Sequence, residues 1–323
     1  ANPGGVATAM GQIMYFFRWP GTVEEIIPAY VSTDLMIEIP LIYGEDFPYW
    51  NNIKQYYHDT DRDSTSAAVA QLMRFCSQSV KTNYSRSSTA ALVNAVPALV
   101  NYFKFARTAQ YLQRKHYTGR QWAKMLSDEI HSRRPVIYRA QRHDGVGQAF
   151  LCDGIDRDGL VHINWGWQGS GDGYFLLTEI NPGDSIGCDA YGIDAAMVIG
   201  IQPNRTMVDT EDPGVLSFHN LALPATQYAR QDGQAPFEGV IINGRFANGS
   251  SYIGNYDLGF AVYDSCGNCM ETIQCATLRN LEPSYGAQRD WSININASAG
   301  SGHYTIKPVS RVSGNYDWTP CYG

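Results

Sequence analysis

At 323 residues with a formal net charge of −7, the chain has room for two domains and no basic excess to attract nucleic acid. Its 44% hydrophobic and 17% charged content describes a folded polypeptide rather than a disordered one. No apolar run approaches the roughly 20 residues that a membrane-spanning helix needs, and the opening ANPGGVATAMGQIM carries no basic leader, so the start reads as processed or truncated.

The first element is a helix. In GGVATAMGQIMYFFRWP, Val6, Met10, Ile13, Met14 and Phe17 recur at helical spacing, and Pro20 ends the run. Gly4 and Gly5 allow that helix to begin close against a neighbour, its first amides uncapped. The stretch that follows, to about residue 60, reads as an irregular, aromatic surface loop region. A second helix is predicted from about Ser64, where Ser or Thr can cap, to Val80, with Val69, Leu72, Met73 and Cys76 facing inward. A third is predicted over 90–103 despite Pro97, and a fourth over 119–132 with Trp122, Leu126 and Ile130 inward.

Beyond this the period changes to two. Strands are predicted at 135–140, 148–154, 160–164, 173–178 and 195–202, with Asp156-Arg157-Asp158-Gly159 as a hairpin turn. Residues 203–213 turn polar and read as a linker. Short strands follow at 215–223, 237–246, 257–263, 274–281, 291–295 and 303–309; Trp291, Ile293 and Ile295 alternate with polar residues, the pattern of a half-buried strand. The predicted organisation is a helical lobe at about 1–133, an antiparallel-sheet lobe at about 134–203, and an all-β, immunoglobulin-like sandwich at 204–323.

Seven cysteines (Cys76, Cys152, Cys188, Cys266, Cys269, Cys275 and Cys321) are too scattered for a dense disulfide framework. Cys76 and Cys152 sit in apolar runs and read as small buried hydrophobes. Cys266-Gly267-Asn268-Cys269 has metal-site spacing, but no second pair accompanies it and the segment reads as strand-turn-strand. No metal and no cofactor is expected. Spacing leaves open how the last four cysteines pair.

A helical lobe followed by a sheet lobe is the plan of the papain-like cysteine peptidases, in which a nucleophilic Cys heads the first helix and a His comes from a strand across the cleft. Here the first helix, GGVATAMGQIMYFFRWP, is similar to the nucleophile helix of the streptopain family. PVIYRAQRHDGVGQAFLCDGIDRDGLVHINWGWQGSGDGYFLLTEINP resembles its base-bearing region. MRFCSQSVKTNYSRSSTAALVNAVPALVNYF is similar to the family's middle segment, and LRNLEPSYG and YTIKPVSRVSGNYDWTP resemble the β-sandwich of members from Gram-negative anaerobes.

The resemblance implies a papain-like two-lobe α+β peptidase fold followed by that sandwich, and a secreted or cell-surface bacterial endopeptidase made as a zymogen. It also implies a segment ahead of Ala1, in the same or a separate chain, that supplies part of the cleft. Carried over residue by residue, the family's Cys falls on Gly5 and its His on Gln148, while Asn164 and Trp165 match retained positions that would orient and shield the histidine. Glycine cannot attack a carbonyl, and an amide is no general base near neutral pH. His143, His162 and Thr8 are poorly placed to substitute. The expectation is therefore a pseudopeptidase with no intact catalytic residue, binding peptide or extracellular protein in its remnant cleft through Trp165, Trp167 and Gln148. The alternative is an active cysteine endopeptidase in a disabled or misread form.

Overall fold

The structure, a computed structural model, describes all residues except 1, 59, 118, 179, 182–189, 207–215, 226, 234, 251–252, 284, 297–302, 316–317 and 322–323. Cys188 and most of the expected linker lie outside the described residues. The chain divides into two compact units, Ala1–Thr210 and Glu211–Gly323, a few residues beyond the boundary expected at 203/204.

The first unit is organised around α1 (Gly5–Phe17), whose Val6, Ala7, Ala9, Met10, Ile13 and Met14 are buried. The helix stops where Arg18 adopts a left-handed conformation and its N–H caps Met14 and Tyr15 carbonyls. A small hairpin, β1 (Tyr30–Ser32) and β2 (Ile37–Ile39), occupies the segment read as irregular. The second helix, α2 (Ser64–Ser79), is capped by Asp63 rather than by Ser or Thr: its carboxylate accepts from the Thr65 and Ser66 amides at 3.0 and 3.1 Å.

The third expected helix is broken. A 3₁₀ turn at Leu92–Asn94 leads into a single α turn, α3 (Ala95–Pro97), and then a π turn at Ala98–Tyr102. Pro97 has no N–H to give to a regular ladder, and changes of helix type absorb the loss. The fourth helix, α4 (Gly119–His131), buries Trp122 and Leu126 as predicted, but Ile130 is only half-buried. Glu129 is buried instead, because Arg134 pairs with both its carboxylate oxygens at 2.8 Å and the Gly200 amide donates to it at 2.9 Å.

One six-stranded antiparallel sheet forms the rest of this unit. It is made of β3 (Gln110–Gln113), β4 (Val136–Gln141), β5 (Gly147–Ile155), β6 (Val161–Asn164), β7 (Gly173–Phe175) and β8 (Ile193–Ile199), in the order β3-β8-β4-β5-β6-β7. The turn at 156–159 is a hairpin: Asp156 Oδ1 accepts from the Asp158 and Leu160 amides, and Gly159 supplies the positive φ the turn requires. Ile137, Ala149, Leu151, Ala196 and Val198 of this sheet share one core with α1 and α2.

The second unit is all β. A three-stranded sheet joins β9 (Ser217–Ala222), β10 (Phe237–Ala247) and β13 (Gly286–Ile295), in the order β13-β10-β9. The other has four strands, β12-β11-β14-β15, from β11 (Gly254–Tyr263), β12 (Cys269–Leu281), β14 (Thr305–Val312) and β15 (Thr319–Pro320). Both contribute to a core that includes Phe218, Ile242, Phe246, Leu258, Phe260 and Trp291, with Phe218 edge-on to Phe260 at 5.6 Å. Cys266, in the turn between β11 and β12, and Cys269, the first residue of β12, are exposed, and Asp264 accepts from the Cys266 and Asn268 amides.

Two neighbours on α1 test how much of this stability resides in the first core. Ile13 is fully buried and Phe16 is exposed. Ile13→Ala is expected to cost about 2–5 kcal/mol through lost burial and a residual cavity, whereas Phe16→Ala stays within about 0.5 kcal/mol. Urea unfolding midpoints of the two variants check the contrast.

Candidate functional site

The site is the junction of the α1 N-terminus with β5. Gly4 precedes the helix at φ +83°, a conformation that favours glycine, and no side chain caps the first turn. The Thr8 amide and hydroxyl both donate to the Gly4 carbonyl, at 3.1 and 3.0 Å. Helix and strand then meet so closely that a Cβ on Gly5 would stand 2.6 Å from the Ala149 carbonyl oxygen and 2.8 Å from Gln148 Nε2. Gly5 and Gln148, 143 positions apart in sequence, are thus brought into contact. The amide of Gln148 fills the space into which a side chain on the helix would project, and Nε2 donates to the Ala149 carbonyl at 2.9 Å.

Asn164 closes a second link between the lobes. Its Oδ1 accepts from Gln12 Nε2 at 2.8 Å and from the Gly166 amide at 3.0 Å. Both bonds fall on one oxygen, which ties Asn164 to α1 and to the turn that follows β6. Gln12 escaped the sequence reading, although a signal was present. Gly5, Thr8 and Gln12 lie three and four residues apart and form a polar stripe on an otherwise apolar helix. Thr8 uses its methyl in the same seam: a Cβ on Gly166 would stand 2.6 Å from Thr8 Cγ2. Gly166, at φ +73°, is therefore required both for its backbone angle and for clearance.

The two tryptophans have different environments. Trp165 is 1% exposed, its indole donating to the Gly171 carbonyl at 3.0 Å and its backbone amide to Asp172 at 2.9 Å. Phe150 lies 4.6 Å from it and Tyr191 5.3 Å, centroid to centroid. A ring so enclosed offers no surface to a ligand, which corrects the expectation that Trp165 would be a docking platform. Trp167 is 41% exposed and stacks on Trp165 at 5.0 Å with the rings 20° apart. Trp165 is thus the support, and Trp167 presents the accessible aromatic face.

No exposed thiol stands at this junction among the described residues. Cys76 and Cys152 are fully buried, and burial pushes both thiols well above the ordinary range. Cys76 donates to the Met14 sulfur on the core side of α1. His143 is exposed in the loop before β5. His162 is engaged by other partners, its Nδ1 2.5 Å from Asp153 and its ring edge-on to Tyr174. The described residues also hold no group of three or more His, Cys, Asp or Glu placed to bind a metal ion.

Two variants probe the junction. Replacing a helical glycine with alanine ordinarily stabilises by roughly 0.5–1 kcal/mol; here the Ala149 carbonyl opposes the new methyl, and Gly5→Ala is expected to destabilise by about 1–3 kcal/mol. Asn164→Ala leaves the Gln12 amide and the Gly166 N–H unpaired, at a cost of about 1–3 kcal/mol. In a double-mutant cycle with Gln12→Ala the two effects are expected to be non-additive by about 1 kcal/mol. Additive losses would mean that the inter-lobe bond carries no energy.

Comparison with known proteins places this geometry. The Peptidase C10 family model matches residues 1–175, the span that contains both Gly5 and Gln148. Over 98% of its length the chain is 29% identical to the thiol protease/hemagglutinin PrtT of Porphyromonas gingivalis, of which it spans 36%. Over 63% of its length it is 29% identical to streptopain of Streptococcus pyogenes, of which it spans 53%. The chain therefore covers only about a third to a half of these relatives. Among solved structures, active wild-type interpain A cysteine protease of Prevotella intermedia superposes with a TM-score of 0.55 at 29% identity, over 61% of this chain and 82% of that one. The chain belongs to the Peptidase C10 family, the family of streptopain and interpain.

Proposed function

We propose that this chain is a catalytically inactive C10 peptidase homologue, a pseudopeptidase, that holds an extended peptide or protein segment in its remnant cleft. The observation that carries this reading is the contact between Gly5 and Gln148. Cysteine-peptidase chemistry needs a thiolate to attack the scissile carbonyl and a base to take and return its proton. At this junction a hydrogen stands in place of the first and a carboxamide in place of the second. The buried thiols of Cys76 and Cys152 stay protonated and out of reach.

What is left suits binding. Trp167 offers an exposed ring fixed by the buried Trp165. Gln148 keeps its carbonyl oxygen available to accept from a peptide N–H while its nitrogen is engaged by Ala149. The all-β unit is proposed to be an immunoglobulin-like sandwich. Kinship with streptopain and the Porphyromonas thiol protease supports a bacterial protein acting outside the cytoplasm or at the cell surface. No described helix is long and apolar enough to cross a membrane.

The test is incubation of the purified chain with a denatured protein substrate, with and without a thiol-directed inhibitor. No inhibitor-sensitive cleavage is expected; cleavage abolished by the inhibitor would overturn the proposal in favour of an active endopeptidase. In a peptide-library selection, Trp167→Ala is expected to weaken retained ligands about tenfold, or about 1.4 kcal/mol. Retention unchanged by that substitution would remove the cleft from the reading.

A further inference from the structure

Two helices of the first unit stop on an arginine. Arg18, just past α1, and Arg133, just past α4, both hold the left-handed conformation, at φ +50° and +57°. Glycine is the usual residue at such a stop, because a Cβ is disfavoured there. Both arginines line one pocket of about 760 Å³, bordered by α1, the end of α4 and β5.

The pocket carries more positive charge than its own groups neutralise. Its charged lining is Arg18, Arg133, Arg134 and Asp153, in a chain whose net charge is −7. Arg134 is paired with Glu129, and Asp153 with His162. Arg18 lies over the Tyr15 ring at 3.8 Å and donates to the Trp50 carbonyl at 3.0 Å, a neutral acceptor that leaves its charge uncompensated. The exposed Arg133 guanidinium has no hydrogen-bond or ion-pair partner among the described residues. Two uncompensated cations at one concavity attract an anion. Asn164 lines the same pocket; its Oδ1 accepts twice, while its Nδ2 is accessible and without a partner among the described residues. Apolar surface lies beside these groups, from Ile130, the buried Leu151 and the exposed Phe16.

We infer that this pocket binds the C-terminal residue of a polypeptide through its carboxylate. The carboxylate pairs with Arg18 and Arg133, the preceding peptide carbonyl accepts from Asn164 Nδ2, and an apolar last side chain packs against Phe16, Ile130 and Leu151. A chain end brings these three groups together on one residue. In an extended internal segment successive side chains point to opposite sides, so an acidic residue turned into the pocket would turn its apolar neighbours out. The volume is that of a small-ligand pocket and exceeds what an inorganic anion fills. Neither Gly5 nor Gln148 lines this pocket, and the inference does not depend on whether their junction binds anything.

The experiment titrates the whole chain with an N-terminally labelled hexapeptide ending in leucine and follows fluorescence anisotropy. The peptide is supplied with a free C-terminal carboxylate, with an amidated C-terminus, and amidated with aspartate as its penultimate residue. The free acid is expected to bind saturably, and each amidated form about tenfold more weakly or worse. Arg133→Gly is the decisive variant, because it removes the guanidinium at a backbone position that suits glycine. It is expected to weaken binding of the free acid about tenfold while the melting temperature holds or rises. Phe16→Ala, at an exposed position, is expected to weaken it roughly threefold. No binding of the free acid at the solubility limit, equal binding of acid and amide, or binding indifferent to Arg133→Gly would each overturn the proposal. So would an aspartate peptide that binds as tightly as the free acid, since an acidic side chain would then be the occupant. Loss of the Trp167-dependent ligands in Arg133→Gly would merge this pocket with the remnant cleft and would also count against it.

Discussion

The first unit depends on how closely α1 approaches β5. A helix that meets a strand with no room for a Cβ at its first residue must carry glycine there, and the 2.6 Å that would separate a Gly5 Cβ from the Ala149 carbonyl oxygen is that limit. From this point the helix runs into the core with seven of its residues buried and draws Leu72, Phe75 and Cys76 of α2 around it. The first-turn amides that such a helix leaves uncapped are the same feature that makes a helix N-terminus useful to an anionic nucleophile. It is at this location that Gly5 and the Gln148 carboxamide meet.

Two contacts hold the lobes in register around that seam, a third braces its sheet side, and none requires a catalytic group. The Gln12–Asn164 bond ties the middle of α1 to the end of β6, Thr8 packs its methyl against Gly166, and Trp165 is locked by Gly171 and Asp172 from below. The energetic logic is that of buried polar groups in general: each is inexpensive when paired and costly when one partner is removed.

Much of the fold was legible because its longer elements obey simple periods. The apolar recurrence in α1, α2 and α4 and the alternation in β13 each follow from burying one face. What escaped did so for physical reasons. The β1–β2 hairpin has three-residue strands with apolar residues on both faces, Val31 and Ile37 among the exposed ones, so its pattern does not point to a core. Pro97 sits inside an apolar run whose period is helical, and only the structure reveals that the run is divided among 3₁₀, α and π turns. Glu129 takes a buried place that periodicity offers to Ile130, because Arg134 and the Gly200 amide, the latter 71 residues away, neutralise and satisfy it.

The site was legible in its parts and not in its contacts. Gly5 and Gln148 stood out by residue type, but their meeting depends on a crossing of 143 residues that no local pattern encodes. Trp165 and Trp167, two residues apart, would share a face if the strand continued. Instead β6 ends at Asn164, and the left-handed turn at Gly166 folds the second indole back over the first, so that one is enclosed and the other is open to solvent. Burial of Trp165 is thus the cause of Trp167's rigidity: an exposed ring alone would sample many rotamers and lose that freedom on binding, whereas a ring already stacked on a fixed neighbour has less to lose. The same reasoning applies to Gln148, whose nitrogen is held by Ala149 before any ligand arrives. Preorganisation of this kind favours binding as much as it would favour catalysis, because it is built from packing and backbone hydrogen bonds.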